Sequence, residues 1–303
     1  MLIINLLILI FMPFLMLGII KKTKAFWGGR KGPSILQPLY DFIKLIKKGL
    51  VISNTTTSIF NIAPAVCLGS VVFASLFVPI LGYGAIIDIP FGLIAFSYIL
   101  GFGKFFSIIS ALDTGSSFEG MGASREACFT SMVEPAFFIT MASIMALSKN
   151  YTLSSLTEIL KSAGNYGILI TVFAVVVLFL MILIECSRVP MDDPETHLEL
   201  TMIHEVMILD NSSIDLGLFT YANALKMLLF SSLIGLLIIP FELNFWMNIL
   251  AYLGLFALIS ITIGTIESGM ARIRLSHIFE FVFIMSSFAL IVLSLTVVRM
   301  FGG

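Results

Sequence analysis

The chain has 303 residues, of which 59% are hydrophobic and 12% are charged. Because soluble domains are roughly half apolar, this composition excludes a water-soluble globular protein and indicates a polytopic membrane protein. The formal net charge of −1 and the lack of a basic arm argue against nucleic acid as a partner.

Apolar stretches of about 20 residues, long enough to cross a bilayer, recur along the whole chain. The first of them lacks the basic region of a cleaved signal peptide, so we expect it to be retained as a helix. No internal repeat is visible, which argues against an inverted-repeat transporter that works alone. We therefore predict one all-α transmembrane domain over residues 1–303, with eight spans near residues 1–20, 62–81, 90–112, 124–148, 165–185, 216–240, 245–266 and 277–300.

The connection after the first span, residues 21–61, contains a helix of a different kind. Between Ile35 and Leu50, apolar residues recur at helical spacing opposite Lys44, Lys47 and Lys48. This pattern is typical of an amphipathic helix that lies on the membrane surface. A solvated charged loop is the alternative.

The distribution of lysine and arginine predicts the orientation of the chain. Residues 21–61 and the other connections on the same side carry most of these cations, so the positive-inside rule places that side in the cytoplasm and both termini on the other side. We expect a multi-pass protein of the cell membrane. The cations on the predicted cytoplasmic side are Lys21, Lys22, Lys24, Arg30, Lys31, Lys44, Lys47, Lys48, Arg125, Arg188, Arg272 and Arg274; those opposite are Lys149, Lys161 and Arg299.

A charge within a membrane span is costly and usually faces a protein interior or a water path, and four charged residues of the predicted spans are candidates for such a place. Glu134 is too deep in the fourth span for its short side chain to reach water, so it is a candidate proton carrier or a buried structural group. Lys226 in the sixth span predicts a buried carboxylate partner, for function or for structure. Lys104 lies nearer the end of the third span, where snorkelling is the alternative. Glu185 ends the fifth span, either at the mouth of a proton path or simply solvated.

An acidic segment, ECSRVPMDDPETHLEL, follows the fifth span and opens a cytoplasmic loop that we place at residues 185–215. Pro190 and Pro194 predict a turn. After Pro194 a helix can form, with Glu195 and Glu199 one turn apart on one face, and like charges at that spacing repel. This unfavourable pairing suggests cationic groups in a partner or elsewhere in the fold. A solvated acidic loop is the alternative.

No cofactor or metal site is predicted within this chain. The three cysteines form no CxxC pair, so there is no motif for an iron–sulfur cluster or a structural zinc ion. His204 and Glu205 begin an HExxH-like pattern, but Ile208 stands at the second histidine position. The glycines of GGRKGP lack the spacing of a P-loop. If the protein takes part in redox chemistry, its cofactors belong to other chains.

The acidic loop resembles the quinone-chamber membrane subunit of respiratory complex I. That family has the pattern R-x-P-x-D-x-P-E-x-x-x-E-L, which this chain matches in register from Arg188 to Leu200. The family also has R-x-G-P and L-Q-P-x-x-D-x-x-K-L in its first cytoplasmic loop, and this chain matches both between Arg30 and Leu45. The resemblance covers essentially the whole chain and implies the family's eight-span core.

The departures from this pattern point to a related family. His197 replaces a carboxylate, Asp193 replaces an apolar residue, and Met207 stands where a later glutamate would fall. The run from Ser187 to Asp210 is similar to the membrane subunit of energy-converting [NiFe] hydrogenases such as formate hydrogenlyase, hydrogenase-4 and Ech-type complexes.

The hydrogenase resemblance implies a membrane-anchor and coupling subunit without a redox centre. Its implied partners are a large [NiFe] subunit, a small [4Fe–4S] subunit, a ferredoxin-like iron–sulfur protein and an antiporter-like membrane subunit. A complex I-type quinone-chamber subunit is the alternative. By the same resemblance Glu134 and Glu185 belong to a buried proton path, to which we add Lys226 and Lys104. The implied interface with the cytoplasmic module comprises Arg188, Asp192, Asp193, Glu195, His197, Glu199, Arg30 and Lys31.

Overall fold

The computed structural model describes residues 2–53, 55–148, 151–158, 164–194, 202–239 and 244–301. Within these ranges the chain is helical, with ten α-helices joined by turns and two short 3-10 segments. The helices are α1 (Leu2–Trp27), α2 (Gln37–Ile46), α3 (Ser58–Ala74), α4 (Gly92–Asp113), α5 (Ser117–Ser148), α6 (Gly164–Glu185), α7 (His204–Met207), α8 (Ser213–Ile238), α9 (Phe245–Gly269) and α10 (Ile278–Phe301).

Seven of these helices are long and apolar enough to cross a membrane, namely α1, α4, α5, α6, α8, α9 and α10. The predicted all-α polytopic class is therefore confirmed. The remaining predicted span, near 62–81, corresponds to the shorter helix α3. Its 17 residues give a length of only ~26 Å at 1.5 Å per residue. It ends at Ala74 because Pro79 and Gly82 follow, and Gly82 has a φ of 73°, in the left-handed region that glycine tolerates.

Helix α5 begins earlier than the sequence predicts. The expected start near residue 124 marks where the apolar stretch begins, but the helix starts at Ser117. Its first two turns pack against the loop that follows α6, with Gly122 facing Val206 and Ile203. A side chain at position 122 would meet Val206 at 2.3 Å, so glycine is needed for this close approach. The extension joins α5 to the acidic loop rather than lengthening the span.

The short helix predicted in the first connection is present as α2. It is tied to the bundle by Phe42, whose ring lies 5.2 Å from that of Phe14 and 5.5 Å from that of Tyr221. Tyr40, Ile43 and Ile46 are exposed. An apolar stripe left uncovered beside a membrane-spanning bundle is the arrangement expected of an interfacial helix.

Helix α8 forms the centre of the bundle. In an 18-residue apolar stretch of α8, 78% of the residues are buried inside the protein, whereas the corresponding share in α4 and in α10 is 28%. Helix α8 packs on α1, α2, α3, α6 and α9. A charged residue on α8 is therefore surrounded by protein and not by lipid, which matters for Lys226.

The connections α1–α3, α4–α5, α6–α8 and α9–α10 meet at one end of the bundle, which we call the motif end. Several hydrogen bonds join them there. Ser213 donates its hydroxyl to the carbonyl of Lys48 at 2.6 Å, and the Ile273 amide donates to the carbonyl of Pro190 at 3.0 Å. Both sequence motifs therefore lie in one contiguous structure.

Candidate functional site

Four charged side chains form a cluster inside the bundle, just below the motif end, which we call the charge cluster. Lys104 on α4 lies at its centre, with its Nζ atom 2.7 Å from Glu185 Oε1 and 3.2 Å from Glu126 Oε1. Lys226 on α8 lies 3.5 Å from the other oxygen of Glu185 and donates to the Glu185 backbone carbonyl at 3.3 Å. Two cations and two carboxylates thus join α4, α5, α6 and α8.

The charge cluster is removed from solvent and internally paired. The exposed fractions of the four side chains lie between 7% and 13%. Lys104 also donates to the Thr130 hydroxyl at 2.9 Å, so three acceptors surround its ammonium group. Since desolvating a charge costs several kcal/mol unless it is paired, the alternation of Glu126, Lys104, Glu185 and Lys226 accounts for all four remaining in the bundle.

Glu134 lies on α5 eight residues beyond Glu126, which corresponds to ~12 Å along the helix. Its side chain is exposed on the surface of the chain, so the buried position predicted from its depth in the span is wrong for the chain by itself. No ion pair engages it within the described residues. It nevertheless lines a cavity of about 30 Å³ together with Lys104, Glu185 and Phe137. One water molecule needs roughly 10–15 Å³ of such space, so this cavity has room for about two water molecules beside Glu134 and the charge cluster.

Asp192 holds the acidic loop together. Its side chain is 2% exposed and lies 3.0 Å from Arg272 Nη2. One carboxylate oxygen accepts the amides of Ile203 and His204 at 3.1 and 2.8 Å, and the other accepts the amide of Asp193 at 3.0 Å. Both oxygens of the carboxylate are thus engaged by groups of the same chain. Burial raises the pKa of Asp192. Asp192 positions the loop and presents no carboxylate at its surface.

Arg188 belongs to a second set of ion pairs at the motif end, in which Glu267 is shared with Lys24. It lies 3.5 Å from Glu267 on α9, whose buried carboxylate is also 3.2 Å from Lys24 on α1. The loop is therefore fastened to α1 and α9 through Glu267 and to the α9–α10 connection through Asp192. On its other side Glu119, at the start of α5, accepts the amide of Asp210 at 2.8 Å.

A cavity of about 220 Å³ lies between α1, α2, α8 and the acidic loop. Phe14, Phe42 and Tyr221 form its apolar walls, and His204 and Glu205 supply polar groups from α7. Burial lowers the pKa of His204. Burial and the charge of Asp192 raise the pKa of Glu205 to about 7, which Arg188 partly opposes. The cavity thus combines an apolar wall with a carboxyl group that titrates near neutral pH.

Glu205 gives the chain a pH-dependent stability. Because its pKa is raised to about 7 from an ordinary value of about 4.3, its contribution is fully present below about pH 4.3 and is lost as the pH rises through 7. We expect Glu205→Gln to flatten the fall in melting temperature over that range, leaving the variant more stable than the parent at pH 8. Thermal unfolding in detergent at several pH values measures this. Parallel curves for the two proteins would contradict it.

The NADH dehydrogenase family matches residues 1–298, nearly the whole chain. The chain belongs to the NADH dehydrogenase family. Hydrogenase-4 component C of Escherichia coli (strain K12) is 29% identical over 238 residues, covering 77% of this chain and 73% of that protein. Formate hydrogenlyase subunit 4 of the same organism is 26% identical over 268 residues, covering 86% of each.

Two further comparisons extend the similarity of this NADH dehydrogenase family member beyond the hydrogenase subunits. NADH-ubiquinone oxidoreductase chain 1 of Triticum aestivum is 30% identical over 239 residues, covering 76% of this chain and 70% of that protein. A chain of the archaeal membrane-bound sulfane sulfur reductase, a respiratory membrane complex, has the same fold, with a TM-score of 0.79 at 18% identity over 96% of this chain and 98% of that chain. The chain is homologous to membrane subunits of group 4 hydrogenases and to subunit 1 of complex I.

In this NADH dehydrogenase family member the structure brings together some of the residues predicted from sequence. Lys104, Glu185 and Lys226 meet in the charge cluster, whereas Arg30 and Lys31 lie apart from it, exposed beside the end of α1. Asp193 is half-buried in the loop. Glu195, His197 and Glu199 lie outside the described residues, as does the first part of the helix predicted after Pro194. In its later part, from residue 202 on, only His204–Met207 is helical.

Glu126 and Glu267 are two functional-site residues that the sequence did not predict. Glu126 stands at the edge of the predicted fourth span and Glu267 at the edge of the seventh, where carboxylates are normally solvated. The signal that could have identified Glu126 was Lys104. A lysine deep in a bundle requires buried carboxylates, and Glu126 lies close to the same membrane face.

Proposed function

We propose that this chain is the membrane-anchor and coupling subunit of a multisubunit hydrogen-evolving [NiFe] hydrogenase complex and carries no redox centre itself. The observation that supports this most is the charge cluster, which joins four helices directly beneath the acidic loop. The similarity to hydrogenase-4 component C and formate hydrogenlyase subunit 4 supports the choice of complex.

In this proposal, the charge cluster passes electrostatic change from the loop into the membrane. Lys104 is shared by Glu126 and Glu185, so a proton added to either carboxylate shifts the ammonium toward the other. Glu185 in turn shares its charge with Lys226 on the central helix. The cavity beside Glu134 extends the route deeper along α5. Glu134, Glu185, Lys104 and Lys226 then form a path that moves protons or charge without any metal.

The proposed partners follow from the same relatives. A large [NiFe] subunit, a small [4Fe–4S] subunit and a ferredoxin-like iron–sulfur protein would dock on the acidic loop, at the motif end facing the cytoplasm. An antiporter-like membrane subunit would pack beside the bundle. Arg188 and Asp192 would contribute by holding the loop in shape, since their charges are engaged inside the chain.

Purification of the tagged chain from its native membrane tests the proposal. We expect nickel, iron and a hydrogenase large subunit with two CxxC pairs to co-purify, together with hydrogen evolution from a reduced donor. Recovery of the chain with a partner that lacks both CxxC pairs, and with no nickel, would reject the hydrogenase assignment.

The cavity of about 220 Å³ favours a second candidate, a quinone-chamber subunit of a complex I-type NADH or ferredoxin:quinone oxidoreductase. Its aromatic walls and the polar His204–Glu205 pair suit a ligand with an apolar body and a polar head. A photoreactive quinone analogue should then label Phe42 or Tyr221, and an excess of unlabelled quinone should prevent the labelling. Labelling that quinone does not compete away would reject this candidate.

A further inference from the structure

We propose that a groove between the end of α1 and α9 binds the headgroup of an anionic phospholipid. The groove has a volume of about 560 Å³ and opens at the motif end. The side chains that matter to the argument are Lys22, Phe26, Trp27, Arg30, Lys31 and Ile261. Among the residues that the structure describes, none of those lining the groove is acidic, whereas the charge cluster and the acidic loop both contain carboxylates.

The sequence GGRKG builds the cationic wall of this groove. Helix α1 ends at Trp27. Gly29 then reverses the chain direction with a φ of 65°, in the left-handed region that glycine tolerates. The Arg30 amide then donates to the carbonyl of Ala25 at 2.8 Å, which folds the backbone onto the last turn of α1. Gly32 has a φ of 64°, and a side chain there would meet the Ala25 methyl at 2.4 Å. The glycines therefore place the two cations between them beside the helix.

The cations of the groove remain available for an anion. Lys22 donates to the carbonyl of Lys31 at 2.7 Å, which fixes the turn and leaves the Lys31 side chain outside that bond. No ion pair engages Arg30 or Lys31 within the described residues. The neighbouring carboxylate, Glu267, is already held by Lys24 and Arg188. The groove therefore has a net positive charge.

The apolar part of the groove identifies the ligand as a lipid. Phe26 is 76% exposed and Trp27 is 62% exposed, at the point where the apolar span of α1 meets its cationic end. Aromatic residues at this level are typical of the membrane interface, and Ile261 on α9 continues the apolar surface into the span. An acyl chain can lie against these residues while the phosphate meets Arg30 and Lys31, as in basic pockets that bind acidic lipid headgroups.

The two tryptophans of the chain provide a test with an internal control. In Trp246→Phe the remaining tryptophan is Trp27 in the groove, and in Trp27→Phe it is Trp246 at the opposite end of α9. The purified full chain is titrated in mixed micelles with brominated phosphatidylglycerol or brominated phosphatidylcholine, which quench tryptophan fluorescence on contact. We expect phosphatidylglycerol to quench Trp27 at a mole fraction at least fivefold lower than phosphatidylcholine, about the effect of one interfacial cation. Trp246 should be quenched equally by both lipids.

Charge variants on the Trp246→Phe background decide whether the groove causes the preference. Arg30→Gln with Lys31→Gln should abolish it, whereas Arg30→Lys should retain it. Lys47→Gln with Lys48→Gln removes two cations of the same connection outside the groove and should leave it unchanged. Equal quenching of Trp27 by both lipids, an equal loss in the Lys47 and Lys48 control, or displacement of the lipid by millimolar inorganic phosphate would overturn the proposal.

Discussion

Replacing Lys104 with methionine is expected to destabilise the chain by about 3–5 kcal/mol, because it removes the cation that two buried carboxylates share. Glu185 and Glu126 lie 2.7 and 3.2 Å from its Nζ atom, and Lys226 alone cannot neutralise both. Thermal unfolding of the purified chain in detergent measures the loss. Methionine preserves much of the volume of lysine, so the effect reports charge and not packing.

The same substitution tests the proposed coupling. In membrane vesicles that contain the assembled complex, Lys104→Met should abolish ion movement driven by hydrogen evolution. Lys104→Arg, which retains the cation, should preserve at least part of both stability and ion movement. Lys44→Met on the exposed face of α2 is the matched control, with an expected change within about 0.5 kcal/mol. If Lys104→Met melts and pumps like the parent, the charge cluster has neither role.

Replacing Asp192 with alanine is the second large effect, with an expected loss of about 3–5 kcal/mol. The substitution leaves the amides of Ile203 and His204 without the oxygen that accepts them and breaks the ion pair between Asp192 and Arg272. A buried donor left unsatisfied costs about 1–3 kcal/mol, and a broken buried ion pair adds to this. Because the loop loses its internal fastening, we also expect the soluble partner subunits to be lost on purification.

Asp192→Asn separates the hydrogen bonds from the charge. Its amide oxygen can still accept backbone N–H groups, so we expect a smaller loss, about 1–3 kcal/mol. Asp88→Ala, an exposed aspartate in the α3–α4 connection, serves as the control, with little expected effect. Retention of the soluble subunits by Asp192→Ala, at a parental melting temperature, would contradict the role given to Asp192.

The position of the charged residues along the spans was readable from the sequence, but their partners were not. Lys104 and Lys226 stand out because a charge within an apolar helix is costly. The packing of α4 and α6 on the same helix, α5, and of α6 on α8 decides that both lysines converge on Glu185. The position of Glu126 alone was ambiguous, because the edge of a span is equally compatible with solvation, and only Lys104 pointed to a buried carboxylate near it.

In the acidic loop, the sequence pattern predicted the wrong surroundings for two charged residues. It predicted that Arg188, Asp192, Asp193 and the following glutamates form one surface that faces a partner. In the folded chain Arg188 and Asp192 point inward, because Glu267 on α9 and Arg272 in the next connection supply the opposite charges. These partners are about 80 residues away, so no local spacing rule could reveal them.

The sequence by itself determined that this is an all-α membrane protein, where most of its spans lie, and which family its motifs resemble. These properties depend on composition, on stretches of about 20 apolar residues and on local spacing. The tertiary structure alone decided that Lys104 and Lys226 meet at Glu185, that Glu126 completes the charge cluster, and that GGRKG lines a cationic groove. Each of these depends on which helices become neighbours, because the pairing of a buried charge is set by what the fold brings to within about 3 Å of it.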